Sequence, residues 1–213
     1  MKLIIDTSTG DLHIALWDKE VIYTESLQKG RGEQLGAWVP EILKSQNISL
    51  SDISEVLVGQ GPGSFTGLRT GIAFAQGLCA VSRSLYSCST LEMLSLIAAD
   101  DCSKLVSQYA RPGLWYLGHY DQGKLVREWM GSVDDIPDVD CYILDDKLQT
   151  EFTPSSDTAK VLSWENTHWM KHPWNPSRLF GANYLSSAQS GVKPNYIQAP
   201  SAEVVLQQKL KAK

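Results

Sequence analysis

A short turn near the amino terminus carries residue types that bind phosphate. The run Asp6-Thr7-Ser8-Thr9-Gly10 follows the apolar residues 3–5 and offers one carboxylate, three hydroxyls and a glycine. Backbone amides and hydroxyls in such a turn can hold a phosphate, and a carboxylate at a strand end can order a magnesium-bound water. The same residues fit an ordinary turn that bonds its own backbone, which is the commoner arrangement. The run alone leaves both interpretations open.

A glycine-rich segment at residues 59–71 is the second candidate. It reads Gly-Gln-Gly-Pro-Gly-Ser-Phe-Thr-Gly-Leu-Arg-Thr-Gly, follows an apolar run and opens a predicted helix, whose exposed amides could bind an anion. A dinucleotide fingerprint would need glycine at Thr66, and a nucleophile elbow would need serine at Phe65. No Gly-Lys-Ser/Thr follows, so the segment is not a P-loop. Its spacing fails all three templates.

Small residues recur every four positions along the helix that follows. Gly67, Gly71, Ala75 and Cys79 form one stripe, and Gly32 and Gly36 stand four apart in the preceding helix. Such stripes let another helix approach closely. Because glycine costs about 1 kcal/mol against alanine inside a helix, these positions need a packing reason. The spacing allows packing of the two helices on each other or on a second protein.

Two histidines stand four apart, as metal ligands on one helix face would. His168 and His172 lack a nameable third ligand, and Pro173 follows them directly, so we expect no metal site there. His13 and His119 are isolated in predicted strands and are interpreted as packing or surface residues. We identify no local signature of a serine, histidine and acid set.

Composition restricts the class of protein. The 213 residues are 43% hydrophobic with seven Trp, enough for one large domain or two small ones. A net charge of -5 argues against direct binding of RNA. We find neither a signal peptide nor a membrane span in the sequence. The four widely spaced cysteines are typical of reduced cytosolic thiols; they are Cys79, Cys88, Cys102 and Cys141.

The pattern along the chain predicts an α/β protein. An antiparallel meander occupies residues 2–28, and its predicted strands are 3–5, 12–17 and 21–24. Helices are expected at 33–46 with Pro40 inside it, at 65–81 and at 90–99, with a capped turn at 49–52 and a strand at 56–58. A hairpin at 116–129, a strand at 141–144, a helix around 183–185 and an exposed terminal segment at 192–197 follow. We divide the chain into domains at 1–100 and 101–213.

The start Ile5-Asp6-Thr7-Ser8 and the segment 61–71, continued by Ala75-Gln76-Gly77-Leu78, together resemble the bacterial TsaB family, also called YeaZ. The resemblance covers the first 100 residues. Beyond residue 110 it rests on the hairpin and on residues 193–197, with Gln198 where the family carries arginine. The resemblance implies an actin/Hsp70-like (ASKHA, ribonuclease H-like) fold with two lobes, the second smaller and degenerate.

The resemblance also implies a function without catalysis. Such a subunit is a scaffold and activator that binds the catalytic subunit TsaD during formation of threonylcarbamoyladenosine beside the anticodon of tRNA. TsaD is similar in fold and takes metal histidines from its first helix, whereas residues 31–35 here contain none. The implied partners are TsaD, the ATPase TsaE and, for the chain alone, a second copy; tRNA is reached only through the complex. The implied location is cytoplasmic.

The family implies roles for particular residues. Asp6, Thr7, Ser8 and Thr9 match a degenerate phosphate loop, and a second loop of the Asp-x-Gly kind is missing after residue 100. The isolated chain needs no cofactor or metal, and the resemblance allows ATP or ADP at the heterodimer contact. The implied interface residues lie on the first two helices: Glu33, Leu35, Gly36, Trp38, Leu68, Arg69, Gly71, Ile72 and Ala75. The alternatives are a sugar-kinase-like ATP-binding enzyme and a metalloprotease-like hydrolase of the same superfold.

Overall fold

Two five-stranded sheets form the frame of the protein. The computed structural model describes residues 1–30, 32–99, 101–164 and 192–197. The strands of the first sheet are β1 Lys2–Asp6, β2 Leu12–Asp18, β3 Glu20–Leu27, β4 Glu55–Gly59 and β5 Ser84–Cys88. Those of the second are β6 Ser103–Arg111, β7 Leu114–Asp121, β8 Lys124–Gly131, β9 Cys141–Leu144 and β10 Lys160–Ser163.

Four α-helices are present among the described residues. They are α1 Leu35–Ser45, α2 Phe65–Cys79, α3 Thr90–Ser95 and α4 Asp146–Glu151. Short 3-10 turns lie between successive elements at Gly32–Gln34, Leu50–Asp52 and Val133–Asp135. The Ser64 hydroxyl accepts from Gly67 N and the Asp145 carboxylate from Leu148 N, so α2 and α4 both begin at side-chain caps.

The two sheets share one topology. The first has the order β3-β2-β1-β4-β5 and the second β8-β7-β6-β9-β10, and in both the first three strands are antiparallel while the last two run parallel to the first. This is the ribonuclease H-like arrangement, used twice. The expected two-lobed, actin-like α/β fold is confirmed.

The apolar core consists of three layers, of which the middle one joins the two sheets. The first lies between one face of the first sheet and helices α1 and α2, where Ile5 and Val58 meet Val39 and Ile72. The second lies between the two sheets and contains α3, whose Leu91 is fully buried. The third covers the far face of the second sheet. Helix α3 therefore belongs to the core that joins the lobes.

Most predicted elements of the first lobe are confirmed. The meander is β1 to β3, the predicted helix at 33–46 is α1 with its preceding 3-10 turn and contains Pro40, and the helix at 65–81 is α2. Ser49 and Asp52 form the reciprocal capping box that the sequence indicates. In the second lobe the hairpin β7–β8 and the strand β9 are confirmed.

Five elements differ from the prediction. Helix α3 ends at Ser95 rather than near residue 99, because the buried Lys104 ammonium bonds Ser95 O and Ala98 O and the chain turns there. Strands β5, β6 and β10 and helix α4 were not predicted. The predicted helix around residues 183–185 lies outside the described residues.

The segment at 192–197, predicted to be exposed, is only partly so: Lys193 and Tyr196 are exposed and its other residues are half-buried. Its backbone donates from Asn195 N to Gln60 O at 2.6 Å, and Val192 packs partly against the core beneath α2. The Tyr196 ring stacks on Phe65 with centroids 4.9 Å apart. These contacts hold the segment along α2. The sequence does not predict them, because the contacting residues are far apart in the chain.

Candidate functional site

The carboxylate of Asp6 lies at the end of β1, under the surface. Both of its oxygens accept hydrogen bonds: Oδ1 from the Ser8 amide at 2.8 Å and the Ser8 hydroxyl at 2.6 Å, and Oδ2 from the Thr90 hydroxyl at 2.8 Å. The Asp6 side chain is 0% exposed. Its carboxylate joins β1 to α3 and does not face solvent, where a hydrated metal would lie.

The turn after Asp6 is bound to the start of α2. The Thr7 hydroxyl donates to Gly67 O at 2.8 Å, and Ser64 N donates to Ser8 O at 2.6 Å. Gly63 has φ +153°, and a β-carbon there would overlap Ser8 O, so only glycine fits this approach. The glycine-rich segment thus serves to join the turn to α2.

A cleft of about 530 Å³ lies between the lobes on the other side of this turn. Its first wall is the turn itself, at Ser8, Thr9 and Gly10. The opposite wall is formed by Tyr109 at the end of β6 and by Lys147 at the start of α4. Because β6 corresponds to β1, the cleft lies between equivalent ends of the two sheets.

The equivalent turn of the second lobe carries no acid. Strands β6 and β7 pair as far as Arg111 and Leu114, which leaves only Pro112 and Gly113 in the turn. Gly113 has φ +72°, typical of a tight hairpin. The second turn therefore provides no carboxylate for binding a phosphate or a metal.

Other cleft residues were not found from the sequence. The Lys147 ammonium lies 3.2 Å from the centroid of the Tyr109 ring. Gln108 donates through Nε2 to Ser8 O, while its buried Oε1 has no partner among the described residues. Burial raises the pKa of the Tyr116 phenol in the same cleft, and nearby Arg111 lowers it to a lesser extent. No sequence motif signals these residues, because the fold alone brings them together.

The small-residue stripe of α2 faces its own lobe. A β-carbon at Gly67 would overlap Thr7 O, and one at Gly71 would overlap the Thr7 hydroxyl. A β-carbon at Gly32 would lie 2.6 Å from Thr70 Cβ. The close approaches are therefore within the chain, whereas Gly36 and Gly77 have no atom within 4 Å of such a carbon.

The nine expected interface residues fall into two groups. Leu35, Leu68, Gly71, Ile72 and Ala75 are buried in the first lobe, where their side chains pack against the chain itself. The other four are accessible: Glu33, Gly36 and Arg69 are exposed and Trp38 is half-buried. The outward strip of α2 consists of Thr66, Arg69, Ala73, Gln76 and Gly77.

The remaining titratable candidates have structural neighbours. His13 lies between the Thr9 hydroxyl at 3.1 Å and the Ser26 hydroxyl at 2.7 Å, and His119 contacts the Ser103 hydroxyl at 3.0 Å. His168 and His172 lie outside the described residues. The rest of the described chain contains no group of three His, Cys, Asp or Glu residues that could hold a metal ion.

All four cysteines are thiols, and burial raises the pKa of Cys141 to about 11. None of the helices within the described ranges is long and apolar enough to cross a membrane.

The relatives found by comparison with known proteins agree with one another. The family model described as "TsaD: tRNA N6-adenosine threonylcarbamoyltransferase" matches residues 24–131, about half of the chain. The "tRNA threonylcarbamoyladenosine biosynthesis protein TsaB" of Buchnera aphidicola subsp. Schizaphis graminum is 33% identical over 55% of this chain and 59% of that protein, less than two thirds of its length. TsaB of Bacillus subtilis is 29% identical over 94% of this chain and 95% of that protein.

A solved structure supports the fold. YeaZ from Pseudomonas aeruginosa has a TM-score of 0.66 with this protein at 21% identity, covering 92% of this chain and 98% of that chain. At that identity the likeness shows the shared fold. It extends over both lobes.

Proposed function

Because the chain belongs to the TsaB (YeaZ) family, within the group that the TsaD family model matches, we propose that it is a non-catalytic subunit for tRNA threonylcarbamoyladenosine formation. In this role it binds a TsaD-type catalytic subunit in the cytoplasm and activates it, while TsaE joins the assembly and tRNA is reached through the complex. The relatives' names, which all specify threonylcarbamoyladenosine biosynthesis, support the pathway.

The observation that carries the proposal is the state of the cleft between the lobes. Asp6 is buried with both oxygens occupied, and the equivalent turn at Pro112 and Gly113 has no acid. A kinase or ATPase of this architecture needs a phosphate loop from each lobe to clamp its nucleotide. Among the described residues, the turn of the second lobe supplies no acidic phosphate loop to this cleft, which favours an accessory role over phosphoryl transfer.

The partner surface that fits the proposal is the outer face of α1 and α2. Glu33, Gly36 and Arg69 are exposed there, with Trp38 half-buried beside them. Small residues such as Ala73 and Gly77 make the outward strip of α2 flat, because their side chains protrude little. A partner helix could therefore approach this strip closely. A second copy of the chain would use the same face when the catalytic subunit is absent.

Reconstitution tests the proposal. Purified TsaD, TsaE, threonylcarbamoyl donor and unmodified tRNA are combined with or without this chain, and modified adenosine is measured by mass spectrometry of the digested tRNA. We expect product only when this chain and TsaD are both present, and none from the chain alone. Product without TsaD, or equal product without this chain, would contradict the proposal.

Calorimetry separates the enzyme alternative. The isolated chain is titrated with ATP and magnesium, and the scaffold role predicts no saturable heat. Tight binding would favour an ATP-using enzyme.

A further inference from the structure

Residues 192–197, here called the strap, lie along the outward side of α2. The Gln76 side chain donates to Val192 O at 3.3 Å near the end of the helix, and Tyr196 stacks on Phe65 at its start with an interplanar angle of 24°. Between them, Asn195 N bonds Gln60 O. The strap therefore runs antiparallel to α2 and forms one edge of its outward strip.

The strap fixes the guanidinium of Arg69. The Arg69 Cζ lies 3.7 Å from the centroid of the Phe65 ring, and its Nε donates to the Tyr196 hydroxyl at 3.3 Å. Arg69 is nevertheless exposed, and no carboxylate among the described residues lies within ion-pair distance of it. Its two terminal nitrogens have no protein acceptor in the described part of the chain.

Arg83 shows what a purely structural arginine looks like in this protein. Its Nε donates to Ile53 O, its Nη1 to Leu78 O and its Nη2 to Leu50 O, so all three nitrogens are satisfied by backbone carbonyls. Arg69 is positioned by a ring contact and one hydrogen bond but keeps its terminal nitrogens available. That difference indicates a binding residue.

A fixed, planar guanidinium suits one class of ligand group. Two parallel N–H donors match the two oxygens of a carboxylate, and stacking on an aromatic ring removes much of the entropy cost of binding. A phosphate would match the same donors, but the net charge of -5 disfavours a polyanion such as RNA. A carboxylate on a protein partner is the better fit.

We propose that Arg69, oriented by Phe65 and the strap residue Tyr196, binds a carboxylate of the catalytic subunit. The strap is then part of the partner surface, continuous with the exposed strip of α2. This inference rests on the proposed function, since the partner is the TsaD-type subunit named there.

The test is calorimetric titration of the full chain with purified TsaD at low and at high salt. Arg69→Gln is expected to raise Kd about tenfold or more and to reduce its salt dependence, because a charged pair is lost. Arg69→Lys should not restore affinity, since an ammonium cannot form the two parallel bonds. Tyr196→Phe removes only the hydroxyl that accepts from Nε and should raise Kd by a smaller factor.

Arg127→Gln is the matched control. Arg127 also stacks on an aromatic ring, with its Cζ 4.9 Å from the Trp129 centroid, but it lies on β8. Its loss should leave Kd unchanged. Circular dichroism and thermal melts of each variant verify folding, and Tyr196→Phe carries the test if Arg69→Gln does not fold.

The outcomes separate the two proposals. If wild-type chain fails to bind TsaD, the proposed function falls, and this inference falls with it. If wild type binds and both Arg69→Gln and Tyr196→Phe bind equally well, only the role of Arg69 is overturned. A filter-binding arm with tRNA alone addresses phosphate: tRNA binding that depends on Arg69, with TsaD binding unchanged, would also overturn it.

Discussion

Two glycines of α2 occupy opposite environments. Gly71 faces the Thr7 hydroxyl inside the lobe, whereas Gly77 has no atom within 4 Å of where a β-carbon would lie. Gly71→Ala should therefore destabilise the fold by about 1–3 kcal/mol through overpacking. Gly77→Ala should stabilise it by up to about 1 kcal/mol through helix propensity.

Urea unfolding monitored by circular dichroism measures both changes. The pair is matched because the substitution and the helix are the same. A Gly71→Ala protein at least as stable as wild type would mean that the stripe of small residues does not pack on the turn. A large substitution at Gly71 is accordingly expected to damage the fold rather than to test the partner surface.

The Cys141 thiol gives a pH prediction. Burial raises its pKa from the ordinary 9.0 to about 11 in the folded chain. Below pH 9 the thiol is protonated in both states; as pH rises from about 9 to about 11 only the unfolded thiol ionises, so stability is lost across that window. Unfolding free energies of wild type and Cys141→Ala are compared at pH 8 and above pH 10.

The Cys141→Ala variant isolates this group. Its cavity cost is independent of pH, so the stability advantage of wild type over the variant should shrink as pH rises. A difference that stays constant would show that Cys141 is not shielded as the structure indicates.

At the scale of single residues, the sequence shows which residues could take part in a site better than it shows which way each residue faces. The turn at Asp6 was found, because its hydroxyls and carboxylate follow an apolar strand. Whether Gly71 faces a partner or Thr7 depends on how α2 sits on the sheet, which four-residue spacing does not specify. Gln108 carries no local signal, since its partner Ser8 is far away in sequence.

At the scale of the elements, a buried hydrogen bond ties α3 to β1 in addition to its apolar packing. The Thr90 hydroxyl at its first position donates to Asp6 Oδ2 at 2.8 Å, and both residues are 0% exposed. Thr90→Val keeps the shape but leaves this carboxylate oxygen without its donor. We expect a loss of about 1.5–3 kcal/mol, the range for a hydrogen bond to a charged group.

Thr150→Val in α4 is the control for Thr90→Val. Its hydroxyl donates to Lys147 O at an exposed position, where water replaces the bond, so its change should stay within about 0.5 kcal/mol. Chemical denaturation compares the two variants. Equal effects would indicate that Asp6 does not tie α3 to the sheet.

The missed strand β6 has polar residues in buried positions. In β6, Lys104, Ser107 and Gln108 are buried, so the strand does not read as an apolar run. Two of them bond groups that are distant in sequence: the Ser107 hydroxyl donates to Asp145 at 2.6 Å, and Gln108 donates to Ser8 O. The hairpin β7–β8 was predictable because its turn chemistry at Gln122 and Gly123 is local.

Across the whole molecule, Glu128 on β8 connects the two lobes and the strap. Its Oε1 accepts from the Ser89 hydroxyl, which follows the last strand of the first sheet, and from Tyr120 at 2.9 Å; its Oε2 accepts from Asn195 at 3.4 Å. Glu128 thus links the two lobes outside the cleft, in addition to the apolar core that contains α3. The sequence predicts two lobes through its family resemblance but gives no sign of this junction.

Glu128→Gln tests the junction. The amide keeps the shape but removes the charge and one acceptor, so unfolding free energy should fall by about 1–3 kcal/mol. Burial first, then the charge of Glu128 and its hydrogen bond, raise the pKa of Tyr120 well above 10.0. In the variant this pKa should move down towards 10.0 while burial keeps it raised. Phenolate absorbance during a pH titration measures it, and Tyr120→Phe assigns the signal among the eight tyrosines. An unchanged Tyr120 titration together with unchanged stability would mean that the lobes are held by the α3 core alone.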